Sequence, residues 1–171
     1  KITDIDPENV DARLMQGLHD YVVGSLPWTW RMLGFLVGIR GDREKGIKTI
    51  EEVAANGDRN RVDAEIFLCA LYRRERKPRL ALPLLEDLIA RFPRNYLLRF
   101  EQSEMYSAIG DKQHAIGAIR TIARLKKRGS PGFVHVPWEK IDYHLGNIEF
   151  WYRDYAAALE HLAKVTASEE E

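Results

Sequence analysis

A chain of 171 residues is long enough to bury a substantial core and short enough to do so as one domain or one continuous array of helices. Its 26 Lys and Arg residues balance 26 Asp and Glu residues, so no net field draws the whole molecule to nucleic acid or an anionic membrane, and an electrostatic partner must be read by a local patch. The lone cysteine, Cys69, excludes an intramolecular disulfide framework and a multi-cysteine zinc site, and leaves the compartment open.

The first residue is Lys1 and not an initiator Met, which implies an upstream segment removed by processing or by trimming. Residues 7–24 read as a helix, with Val10, Leu14, Gly17, Leu18 and Tyr21 on one face. This helix is expected to cover the exposed end of an array, or to be the second half of a truncated repeat. The stretch from Val22 to Ile39 is almost wholly apolar and approaches the length of a bilayer span. Pro27 interrupts its start, Arg31 at mid-segment costs about 2.5–3.5 kcal/mol on insertion scales, and Gly24, Gly34 and Gly38 weaken the helix. No transmembrane span is predicted. The expectation is a buried helix, with membrane-surface association through residues 22–39 as the alternative.

Beyond it, Gly41-Asp42 reads as a stop and an N-cap, followed by an amphipathic run with Ile47, Ile50 and Val53 on one face. Leu68, Cys69 and Tyr72 then mark one helix, Ala81, Leu85 and Leu88 the face of the next, and Pro93 a stop. Tyr106 follows Tyr72, and Ala115 follows Ala81, by the same 34 residues. Gly110-Asp111 repeats the stop-and-cap device. Lys126 to Pro137 (KKRGSPGFVHVP) reads as an inserted loop, and HLGNIEFWYRDYAAALEHL as a last helix pair. At one repeat position the series Gly34, Cys69, Ser103 and Gly146 steps by 35, 34 and 43 residues. The prediction is all-α: a single domain, 1–171, of antiparallel helix pairs, with repeats at 27–60, 62–95, 96–129 and 139–168 after the N-terminal helix.

The pattern resembles the tetratricopeptide repeat (TPR) over residues 27 to 168. Leu33, Gly34, Gly41 and Asp42 carry the resemblance in the first unit; Leu68, Tyr72, Ala81 and Pro93 in the second. Tyr106, Gly110, Asp111 and Ala115 carry it in the third, and Leu145, Gly146, Tyr155 and Ala158 in the fourth. The early bulky aromatic is missing except at Trp30, the terminal Pro is clear only at Pro93, and Gly46 replaces the usual small Ala at a helix cost of about 1 kcal/mol. The resemblance implies a right-handed superhelical α-solenoid that binds proteins and is not an enzyme. The segment GLHDYVVGSLPWTWRMLGFLVGIRGDREKG is in addition similar to eukaryotic repeat proteins of the inclusion-body-clearance type, which implies a non-catalytic adaptor; no localisation follows.

None of His19, His114, His135, His144 and His161 stands in a metal-ligand spacing, and no glycine-rich phosphate cradle follows a strand. Cys69 sits at a small-residue packing position and reads as an inert thiol. With no triad and no paired catalytic carboxylates, no catalytic residue, metal or cofactor is predicted. The clusters Arg73, Arg74, Arg76, Lys77, Arg79 and Arg120, Arg124, Lys126, Lys127, Arg128 read as solvated faces, with contact to an anion or acidic peptide as the alternative. Nucleic acid is not expected, since the chain is neutral overall.

In such arrays the first helix of each pair lines the concave, ligand-binding wall. That register gives a peptide-binding groove of Trp28, Arg31, Phe35, Ile66, Arg73, Arg74, Phe100, Glu104, Tyr143, Asn147 and Trp151. Phe100, Tyr143 and Trp151 are expected to lack internal partners, the alternative being that they pack as core. The family's carboxylate clamp would fall at Arg31, Phe35, Phe67, Leu97 and Glu101, where Glu101 would repel the anion. The expected partner is thus a protein or peptide. The competing expectation is a self-associating module whose groove is filled by its own missing segments or by another copy.

Overall fold

The computed structural model describes residues 9–36, 38 and 40–167. Pro7 and Glu8 of the expected first helix, Val37 and Ile39 of the apolar stretch, and the packing of Gly34 lie outside the described residues. The described residues are all-helical, with nine α-helices and one 3-10 turn. They divide into two compact units, which part between Glu75 and Arg76.

In the first unit a 3-10 turn, Val10–Arg13, leads into α1 (Leu14–Gly24), followed by α2 (Trp28–Leu36), α3 (Arg43–Asn56) and α4 (Arg61–Arg74). Asp42 caps α3 as its sequence position implies, its carboxylate accepting the amides of Glu44 and Lys45, each at 3.0 Å. Asp11 gathers the turn before α4 by accepting the amides of Asp58, Arg59 and Asn60 at 3.0–3.1 Å. Burial pushes its carboxyl up, but these donors and the Arg59 charge outweigh that and hold it below the ordinary 3.8.

Besides α4, the helix that packs on α3 is α1, and not residues 28–36 as the repeat spacing predicts. The two cross at Gly17 and Gly46, both buried. A Cβ on Gly46 would lie 2.5 Å from the Tyr21 nitrogen and 2.6 Å from the Gly17 carbonyl oxygen. The chain leaving α1 touches the chain entering α3, where a Cβ on Gly24 would meet the Arg43 nitrogen at 2.3 Å. This crossing buries Leu14 and Tyr21 of α1 with Ile47, Ile50 and Val53 of α3. The Tyr21 hydroxyl donates to Glu75 at 2.8 Å, which fastens α1 further. The apolar face of α3 is therefore already covered, and α2 is left outside. The expected buried helix is instead exposed at Trp28, Trp30, Met32, Leu33 and Phe35.

The second unit holds α5 (Pro78–Arg91), α6 (Tyr96–Ala108), α7 (Lys112–Lys127), α8 (Trp138–Trp151) and α9 (Tyr155–Ala167). Here α6 pairs with α7 and α8 with α9, while α5 packs on α6. Gly110 takes a left-handed turn (φ +84°), and Asp111 then accepts the His114 amide at 3.1 Å to cap α7. The pairs close at small residues: the Ser103 hydroxyl donates to the Ala115 carbonyl at 2.8 Å, and a Cβ on Gly146 would meet Leu162 at 2.7 Å. The loop before α8 is more than a tolerated insertion, because it places Phe133 and Val136 in the core beside Phe100, Ile119, Ile122, Ile141 and Leu145. One device recurs in both units. Tyr72 on α4 donates to Glu51 on α3 at 2.7 Å, and Tyr106 on α6 donates to Glu86 on α5 at 3.2 Å. Burial first, then the acceptor carboxylate, raises the pKa of both phenols, so they stay donors at any physiological pH.

Candidate functional site

The second unit presents a cleft of about 520 Å³ between its two first helices, α6 and α8. Glu104, Ser107 and Ala108 come from α6, followed by Gly110; Asn147, Ile148 and Trp151 come from α8, followed by Tyr152. Helical spacing explains the assembly, since Glu104, Ser107 and Ala108 lie at i, i+3 and i+4 on α6, and Asn147 and Trp151 at i and i+4 on α8. The indole of Trp151 is 74% exposed, an apolar surface of the size that anchors partners. The Ser107 hydroxyl is buried without a hydrogen-bond partner, while its backbone carbonyl accepts from the Tyr152 hydroxyl at 3.4 Å. Burial, and next the Asp111 charge, push the Tyr152 phenol above its ordinary 10.0 against the pull of Lys112, leaving it protonated. Asn147 adds a carboxamide that both donates and accepts, the pairing a peptide backbone requires. The Glu104 carboxylate also lies 3.4 Å from the His144 Nδ1.

Of the predicted groove residues, Glu104, Asn147 and Trp151 converge on this cleft. Tyr143 lies one turn earlier on α8, half-exposed, with its ring edge-on to His144 at 5.8 Å. Phe100 does not line it. At 5% exposure it belongs to the core, its ring 4.5 Å from that of His144 and capped by the Lys140 ammonium at 4.9 Å, so the expectation that it lacks internal partners is corrected. In the first unit, Trp28, Arg31 and Phe35 surround a pocket of about 330 Å³ with Val23, Met32, Arg40 and Gly41. Ile66, Arg73 and Arg74 are exposed on α4, the Arg74 guanidinium lying 5.7 Å from the centre of the Tyr21 ring.

Sequence reasoning missed Ser107 and Tyr152. Ser107 was within reach of the helical pattern, three residues beyond Glu104 on the same face, whereas Tyr152 lies past the end of α8 and carries no periodic signal. Asp142 and Glu149 are off the face of His144, as their spacing says, but both approach His161 from α8: Asp142 at 2.7 Å from Nδ1 and Glu149 at 3.9 Å from Nε2. This cluster joins α8 to α9 and contains no nucleophile. Among the described residues no group of His, Cys, Asp and Glu is arranged to hold a metal ion, and Cys69 is buried.

Helix pairs closed by small residues, with first helices facing a cleft, define a TPR-like helical-repeat fold. The solved structure "Crystal structure of MamA" matches with a TM-score of 0.63 at 16% identity, covering 99% of this chain and 83% of that one. "MamA MSR-1 C2" matches with a TM-score of 0.57 at 20% identity, covering 74% and 67% respectively. At such identities the likeness concerns the fold. No family model and no curated protein matches the sequence.

Proposed function

We propose that the chain is a non-catalytic protein-binding module, 1–171, that takes a peptide segment in the cleft between α6 and α8. The observation that carries this reading is the exposed Trp151 indole standing beside the buried, unpartnered Ser107 hydroxyl and the Asn147 carboxamide. An apolar anchor next to backbone-competent polar groups suits an extended or helical peptide with one large apolar side chain. The TPR-like repeat fold supports the same class. Ile66, Arg73 and Arg74 form a second exposed strip, proposed to contact acidic residues of a partner.

The test is affinity capture with the wild-type chain and with Asn147→Ala/Trp151→Ala, followed by titration of the captured partner. Losing the anchor should cost about 2 kcal/mol, roughly thirtyfold in Kd, with the melting temperature unchanged. An identical partner set and affinity would refute the cleft as the site. A second reading, self-association, is favoured by the last helix pair, where Phe150, Trp151, Tyr155 and Leu159 are all exposed and the Phe150 ring lies within 6 Å of its two aromatic neighbours. Light scattering that shows a dimer dispersed by Tyr155→Ser/Leu159→Ser would favour it over peptide capture.

A further inference from the structure

Helix α2 is the feature that peptide binding leaves unused. Among the described residues it packs along no other helix of its unit, although its sequence is the most apolar of the described helices. Trp28, Trp30, Met32, Leu33 and Phe35 are 54–72% exposed. Trp28, Met32 and Phe35 fall on the face that roofs the small pocket, while Trp30 and Leu33 point to the opposite side. A helix that docks into a protein groove needs one apolar stripe. Here one apolar face is turned to the pocket, and Trp30 and Leu33 make a second that is exposed.

The charge pattern specifies that medium further. From Tyr21 to Gly41 there is no Asp or Glu, and the charged residues are Arg31 and Arg40. The Arg40 guanidinium lies 4.8 Å over the Phe35 ring. Indoles at two positions of one short helix are the side chains that settle at the boundary between lipid headgroups and acyl chains. Nine residues span about 14 Å, less than half the hydrocarbon thickness of a bilayer, so the helix would lie in the plane of the surface. No helix among the described residues is long and apolar enough to cross a membrane.

We propose that α2 is an interfacial docking helix that seats the protein on the surface of an anionic lipid bilayer, with Trp30 and Leu33 inserted and Arg31 and Arg40 at the headgroups. The test is flotation of the full chain with vesicles of phosphatidylcholine alone and with phosphatidylserine added. Insertion is read in a Trp138→Phe/Trp151→Phe background by quenching of the remaining indoles with brominated acyl chains. Binding to the anionic vesicles should exceed that to neutral ones by about thirtyfold, roughly fivefold per arginine, and should weaken with salt. Trp30→Ser/Leu33→Ser, at two exposed positions turned away from the rest of the unit, should abolish flotation with helicity unchanged. Flotation retained by that variant, or no flotation of the folded wild-type chain on either vesicle, would overturn the proposal. A dimer that the same variant dissolves, in a chain that does not float, would replace it with a seat for a second copy.

Discussion

Gly46→Ala separates the repeat pattern from the packing, because the two give opposite signs. By pattern, the substitution restores the usual small residue of a second helix and gains about 1 kcal/mol of helix propensity. In the structure the added methyl would lie 2.5 Å from the Tyr21 nitrogen and 2.6 Å from the Gly17 oxygen. That is about 1 Å inside ordinary contact, against backbone that no rotamer change moves. The helices α1 and α3 must part at their crossing, which opens the layer of Leu14, Tyr21, Ile47 and Ile50. Overpacking costs about 1–3 kcal/mol, and a backbone clash belongs at the upper end; less the propensity gain, the net loss is about 2 kcal/mol. For a chain of this size that lowers Tm by about 4–8 °C. Gly117→Ala is the control, since its Cβ meets nothing within 4 Å at an exposed position of α7 and should gain about 0.5–1 kcal/mol. Thermal melts followed by circular dichroism compare the two directly, and a Gly46→Ala protein that melts at or above wild type would refute the α1–α3 crossing.

Two further outcomes test the second unit. Phe100→Ala should destabilise by about 3–5 kcal/mol, as expected for a buried aromatic, whereas Trp151→Ala at an exposed position should leave Tm nearly unchanged; equal melting temperatures for the two variants would return Phe100 to the groove. The Asp111 carboxyl is held below its ordinary 3.8, first by the His114 amide and, against a smaller opposing effect of burial, by the His114 ring. A depressed native pKa contributes stability that is present above the unfolded value and is lost as pH falls through the folded one. Asp111→Asn keeps an acceptor at the cap without titrating, so its deficit in Tm against wild type should shrink below about pH 4. A deficit that stays constant down to pH 2.5 would remove Asp111 from the acid response.

The second unit was legible because its signals are local: the 34-residue step from Ala81 to Ala115, the Gly110-Asp111 stop and cap, and the helical face that sets Asn147 beside Trp151. Phe100 was not legible, because its fate depends on whether Phe133 and Val136, more than thirty residues away in a loop, turn inward, and only their burial shows that they do. In the first unit the periodicity offered α3 two partners. Gly34 precedes Gly46 by 12 residues, the same interval that separates Cys69 from Ala81, Ser103 from Ala115 and Gly146 from Ala158, whereas Gly17 precedes it by 29. Spacing favours the nearer glycine. What decides is the rest of each face: α1 buries Leu14 and Tyr21 against α3 and gains the Tyr21–Glu75 bond, whereas α2 has apolar residues on opposing sides and cannot cover them all against one helix.

Excising the intervening stretch tests that argument at its root. Gly24 and Gly41 lie side by side, since a Cβ on Gly41 would be 2.7 Å from the Gly24 nitrogen, so residues 26–40 can be replaced by a short Gly-Ser linker without moving α1 or α3. If α1 is the true partner, the shortened chain loses only exposed apolar surface and one turn of connection. It should keep the Tm of the parent within a few degrees, and it should be more soluble because the exposed indoles of Trp28 and Trp30 are gone. If residues 28–36 were the first helix of the repeat, the excision would strip α3 of its cover, exposing Ile47, Ile50 and Val53 and unfolding the first unit. A lost helical signal with bound hydrophobic dye would therefore reject the arrangement, and a cooperative melt near that of the parent would establish that the chain carries α2 as an excursion from a complete helix pair.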